Sequence, residues 1–133
     1  MALDIFETFA TDEAAEDGGV WVNLNAESSL LIARDGNDAC ERMVEELMLE
    51  YADKLAGPED VSREAQRMLE IKVTAATILK GWKNLTYQGE AVDYSVENAE
   101  KLLAHKDFRR RVLYHARQRS AYMLQHEESV AKN

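Results

Sequence analysis

The side chains able to do chemistry are few and scattered. The histidines are His105, His115 and His126, and the lone cysteine is Cys40. A metal site draws its ligands to within ~2 Å of the ion. On one helix His115 and His126 would stand ~16 Å apart at 1.5 Å rise per residue, so within one chain they share no ion. One cysteine leaves no zinc pattern and no intramolecular disulfide, and so no sign of an oxidising compartment. The acids of residues 37–55 suit calcium chemically but lack the glycine-centred spacing of an EF-hand loop. Glu45 and Glu46 are sequence neighbours that point ~100° apart on a helix, which reads as solubilising charge. Neither a hydrolase elbow, a Walker A run nor a GxGxxG is present. Cys40 falls in an apolar stripe, where a small buried hydrophobe is the plain reading. No cofactor and no metal are expected, and the chain reads as a binding protein, not an enzyme.

The densest charge is Arg109, Arg110 and Arg111, followed by Arg117 and Arg119. On a helix these spread around most of the circumference. The chain carries a formal net charge of -9, which repels phosphate, so nucleic acid is not an expected partner. The charge is uneven: residues 1–60 hold 16 acids and 3 bases, residues 61–133 hold 9 acids and 13 bases. The plain reading is a solvated acidic face. The sharper one has the acidic end of one copy meeting the basic end of the next, through Arg109, Arg110 and Arg111.

The elements that must position these residues follow from periodicity. One proline and six glycines in 133 residues leave room for long helices. Residues 1–19 read as a flexible acidic segment. Within it Leu3, Phe6 and Phe9 make a short apolar face that either docks on another subunit or folds back on its own core. Residues 20–34 read as a hairpin with a turn at Asn25 to Ser28. A first helix is predicted over 37–55, capped by Asn37 or Asp38 and stopped by Gly57-Pro58. A second runs from a Ser62 cap to about Lys80 and carries two apolar stripes, one through Met68, Ile71, Ala75, Ile78 and Trp82, the other through Ala65, Leu69, Val73, Ala76 and Leu79. Gln88-Gly89 marks a turn in a connector. Ser95 caps a third helix, Asp107 a fourth reaching about Gln125, and residues 127–133 fray. The predicted fold is a mainly α single domain over 20–126, with about four helices and an N-terminal β-hairpin. The N-terminus lacks the basic region and apolar run of a signal peptide. No window approaches the ~20 apolar residues of a membrane span, so no membrane partner is expected.

The order of these pieces resembles a family. A tryptophan-bearing hairpin, VWVNL then LLIARDGN, leads into a helix. A second helix runs into GWKNLTYQGEAVDYSVENAEKLL, and FRRRVLYHARQRSAYML closes the pattern. Over roughly residues 20–124 this is similar to the tail assembly chaperones of long-tailed phages and prophages. The matching positions are Trp21, Ala33, Arg34, Asn37, Gly81, Trp82, Asn84, Gly89, Tyr94, Glu97 and Asn98. The resemblance implies a chaperone that binds the tape measure protein, keeps its apolar surface from aggregating and leaves as the tail tube assembles. It implies self-association, and a tail tube protein recruited through a longer frameshifted form. It also implies a place in the host cell cytoplasm and absence from the mature virion. Trp21, Arg34, Asn37, Trp82, Asn84, Tyr94, Glu97 and Asn98 become candidate partner-binding residues. Leu3, Phe6 and Phe9 join the arginine run as candidates for self-association. Two other classes stay open: a head–tail or tail-terminator subunit of the virion, and an acidic inhibitor that mimics DNA.

Overall fold

The computed structural model describes residues 1–124. His126, the end of the predicted fourth helix at Gln125 and the 127–133 tail lie outside the described residues.

The expected hairpin forms. β1 (Val20–Asn23) pairs antiparallel with β2 (Ser29–Ile32), Val20 opposite Ile32 and Asn23 opposite Ser29. Asn25 closes the turn by accepting the N–H groups of Glu27 and Ser28 on its Oδ1. A hairpin alone is marginal in water. Here a third strand, β3 (Leu79–Lys83), adds to β2 and gives the sheet order β1-β2-β3.

That strand overturns the mainly α, four-helix expectation: the fold is mixed α/β, with short helices and two small sheets. The predicted second helix is really α5 (Glu59–Val73), one wide π-type turn (Thr74–Ile78), and then β3. Thr77 Oγ1 donates to the Val73 carbonyl at 2.7 Å within that turn. Thr74, Thr77 and Ile78 are β-branched and pack stiffly in a helix, and the chain leaves helical geometry directly after them. The apolar pattern misled because of a bulge. Leu31 pairs with Gly81 while Ile32 pairs with Leu79, so Lys80 is an extra residue. It brings Leu79 and Trp82, which the sequence reading set on separate helical stripes, onto the same buried face of the sheet three residues apart, and so breaks the alternation that marks a strand. The start also differs: Pro58 stands at the cap, Glu59 and Asp60 occupy the first turn, and Ser62 Oγ donates to the Leu55 carbonyl.

Other elements fall nearer to expectation. α3 (Asp38–Glu50) is capped by Asn37, whose Oδ1 accepts the Cys40 N–H at 2.9 Å. The chain breaks at Tyr51 and resumes as α4 (Ala52–Leu55). The connector holds a small hairpin, β4 (Thr86–Tyr87) and β5 (Glu90–Ala91). Gln88 and Gly89 both take positive φ, the backbone that a two-residue hairpin turn requires. α6 (Val96–Leu103) starts on Ser95, whose Oγ accepts the Asn98 N–H. α7 (Lys106–Ala116) follows His105, not Asp107, and ends well short of the expected position. A 3₁₀ turn (Arg119–Tyr122) then buries Tyr122, whose hydroxyl donates to the Ile32 carbonyl at 2.9 Å.

Residues 1–19 form α1 (Ile5–Phe9) and α2 (Glu13–Gly18), each with an aspartate cap. They are tied to the chain's other end. Asp12 N–H donates to the Tyr122 carbonyl, Leu124 N–H donates to that of Ala10, and Thr11 bridges Met123. Arg34 binds Glu16 at 2.8 Å. Thr11 and Arg34 both hydrogen-bond the Glu16 carboxylate and hold its pKa below the usual range. The core lies between the inner face of the three-stranded sheet (Leu30, Ile32, Leu79, Trp82) and the helices, through Ile71, Ile78, Leu103 and Val112.

Candidate partner-binding cleft

Two elements that pack on the same core leave a gap between them. α3 presents Cys40, Val44 and Met48, α5 presents Leu69 and Val73, and Ile78 and Leu113 complete an open cleft of about 490 Å³. Cys40, Val73, Ile78 and Leu113 are buried, Val44 and Leu69 half-buried, and Met48 is 53% exposed. Apolar side chains thus line the floor and walls, while polar groups gather at the edge. Asp35 pairs with Arg117 at 2.8 Å, and Glu70 pairs with Arg109 at 3.3 Å. Glu70, Leu113 and Arg117 also line a second recess, where Lys106, Arg110 and Gln118 add polar and mainly basic surface. One continuous surface therefore passes from apolar to basic along α7.

In the sequence Met48 is one of five methionines able to line an adaptable groove, and the other cleft residues fit a core equally well. The signal that separates them is the pair of stripes on 62–80, more apolar circumference than one sheet covers. Part of it, Leu69 and Val73, stays open to the cleft.

The residues singled out by the resemblance do other work. Asn37, buried, caps α3 and donates from Nδ2 to the carbonyls of Arg34 and Thr77. Trp82 is buried in the core, its Nε1 donating to the Val92 carbonyl at 2.8 Å. Tyr94 meets its ring edge-on at 5.0 Å and donates to the Leu79 carbonyl; burial pushes the Tyr94 phenol pKa up. Asn84 holds φ 54° and donates to the Glu27 carbonyl, locking the end of β3 to the β1–β2 turn. Asn98 donates to the Asp93 carbonyl, Glu97 pairs with Lys101 on the surface, and Arg34 is committed to Glu16. Trp82 and Tyr94 are brought together; the eight do not form one surface.

Trp21 is the outward-facing exception. It is 48% exposed on the outer face of the sheet, across from Leu31, with Lys83 Nζ 4.2 Å from its ring centroid. Gly81 lies beyond Leu31 on the same face, where an added Cβ would make ordinary contact with Leu31 and touch the Trp21 ring edge.

The arginine run divides. Arg109 is buried and donates from Nη1 to the Leu103 carbonyl at 2.8 Å, satisfying the end of α6. Arg110 and Arg111 reach solvent, and Arg111 Nε contacts His115. Burial, then the Arg111 charge, lowers the His115 pKa. Leu3, Phe6 and Phe9 are all exposed, with the Arg119 guanidinium 5.0 Å from the Phe9 ring centroid. Among the described residues no group of three or more His, Cys, Asp or Glu side chains is placed to hold a metal ion, and no helix is long and apolar enough to cross a membrane.

The sequence profile of the YdaY prophage protein family matches residues 35–133, which include every residue that lines the cleft. No curated protein and no solved structure matches the chain.

Proposed function

We propose, from the premise that the chain belongs to the YdaY prophage protein family, that it is a tail assembly chaperone of its prophage. In this reading it binds the tape measure protein, keeps it soluble in the host cytoplasm and is absent from the mature virion. The observation that carries the reading is the open apolar cleft between α3 and α5. A helix needs one apolar stripe covered, and a groove walled by two helices with ion pairs at its edge covers such a stripe while leaving the polar face wet. Met48 at the wall is unbranched and adapts to more than one client side chain. Net negative charge favours solubility of the loaded complex. Nothing in this role calls for a catalytic group or a cofactor. A longer frameshifted form that recruits tail tube protein belongs to the same reading.

The test is co-expression with the candidate tape measure protein of the same prophage. The expected result is soluble client that co-purifies with the chain. A client that stays insoluble and unbound, together with the chain found in purified particles, would replace the chaperone with a structural subunit of the virion.

A further inference from the structure

The N-terminal segment leaves an apolar face uncovered. Leu3, just before α1, and Ile5 and Phe6, in its first turn, are 65%, 64% and 69% exposed. They precede an anchor: Arg119 donates to the Thr8 carbonyl, and the backbone at Asp12 binds Tyr122. That anchor leaves residues 1–7 outside the chain's own cleft, none of whose lining comes from them. The segment is also acidic, with Asp4 and Glu7 and no basic side chain.

We infer that residues 3–7 of one copy dock in the α3–α5 cleft of a second copy, Leu3 and Phe6 against Met48 and Leu69, and Asp4 and Glu7 toward the basic recess at Lys106 and Arg110. Charge complementarity selects this occupant. The cleft shares lining with a recess where, among the described residues, Lys106 and Arg110 have no ion-pair partner, and the segment carries Asp4 and Glu7, three residues apart, beside its apolar side chains. Like charge works against an acidic segment over most of this surface, while opposite charge beside the cleft draws this one in. The docked segment fills the place assigned above to the client helix, so a copy without client is kept covered by its neighbour. This last consequence rests on the chaperone reading; the docking itself does not.

The experiment uses the full chain without client. Phe6→Cys in a Cys40→Ser background is mixed with Met48→Cys in the same background and oxidised. The expected result is a cross-linked heterodimer, formed in the mixture far more than in either chain alone. Sedimentation of the otherwise unaltered chain gives the second readout: self-association that Phe6→Glu weakens at least about tenfold, since an unpaired carboxylate against apolar walls is unfavourable. Lys106→Glu with Arg110→Glu weakens it as well and removes its salt dependence. No cross-link together with unchanged sedimentation of Phe6→Glu overturns the docking. So does a cross-link within one doubly substituted chain at a yield unaffected by dilution, which places the segment in its own cleft. A chain that self-associates in this way yet never binds tape measure protein upholds the docking and defeats the chaperone reading alone.

Discussion

Met48→Glu separates binding from folding at the cleft. The side chain is 53% exposed in the free chain, so the substitution leaves little unsatisfied, and folding stability changes by about 0.5 kcal/mol or less. Binding is another matter. Full burial of a methionine is worth about 1.5–3 kcal/mol, and the exposed half that a client helix would cover is worth about 1 kcal/mol. A carboxylate in its place must then stay charged against apolar walls or take up a proton. Protonation at pH 7 from a reference value of 4.3 costs about 3.7 kcal/mol, which caps the charge penalty. The total, about 4–5 kcal/mol at most, is a loss of up to ~10³-fold in affinity. At pH 5 the protonation cost falls to about 1 kcal/mol, so affinity returns by up to ~100-fold. Met48→Gln keeps the shape without the charge and loses about tenfold at either pH. The assay is titration of a soluble tape measure fragment at both pH values, with thermal unfolding of each variant alongside. Met48→Glu binding within threefold of Met48→Gln at pH 7 would falsify the cleft as the client site.

Four further substitutions test the framework. Tyr122 has its pKa pushed up to about 12 by burial, against about 10 unfolded, so the folded state favours the neutral phenol. Its contribution is complete below pH 10 and is lost as pH rises toward 12. The advantage of the native chain over Tyr122→Phe in urea unfolding should therefore shrink by about 2–3 kcal/mol across that window, and a constant difference refutes the assignment. Gly19 has φ 96°, and an added Cβ would stand 3.0 Å from the Ile32 carbonyl carbon; Gly19→Ala should cost at least about 1 kcal/mol, read as a lower melting temperature. Arg109→Ala leaves the Leu103 carbonyl unsatisfied and should cost about 1–3 kcal/mol, whereas Arg110→Ala, on the surface, should cost under about 0.5 kcal/mol. Equal effects at the two arginines would remove the distinction drawn within the run.

What the sequence made legible was local. Asn37 and Ser95 were read as caps, Gln88-Gly89 as a turn and Gly57-Pro58 as a stop, and each follows from the hydrogen-bonding or φ demand of a single position. The hairpin over 20–34 was legible because turn residues at Asn25 to Ser28 separate two short apolar runs. β3 was not, because the bulge at Lys80 sets Leu79 and Trp82 on one face three residues apart and so breaks the period-two alternation of a strand. Only pairing with β2, dozens of residues earlier, makes that stretch a strand, and a window of sequence holds no record of it. Residues 1–19 were read from composition as an acidic tether, while the hydrogen bonds that tie them to Tyr122 and Leu124 join opposite ends of the chain.

The candidate site illustrates the same limit in a different way. Asn37, Trp82, Asn84, Tyr94 and Asn98 stand out in the sequence through the family resemblance, and in the fold their polar atoms bind the chain itself. Asn37 alone among them ties a cleft wall, joining the start of α3 to the turn that follows α5. The proposed partner surface is made instead of ordinary aliphatic residues and Met48, whose types suit a core equally well. Whether such a residue is buried by its own chain depends on the spacing of α3 and α5, set by where α5 ends and β3 begins. A substitution that moves the end of α5, such as Thr77→Ala, which removes the hydroxyl bond to the Val73 carbonyl, should alter client affinity without touching a cleft-lining residue. Unchanged affinity in a chain of altered stability would show that the cleft's width does not depend on that turn.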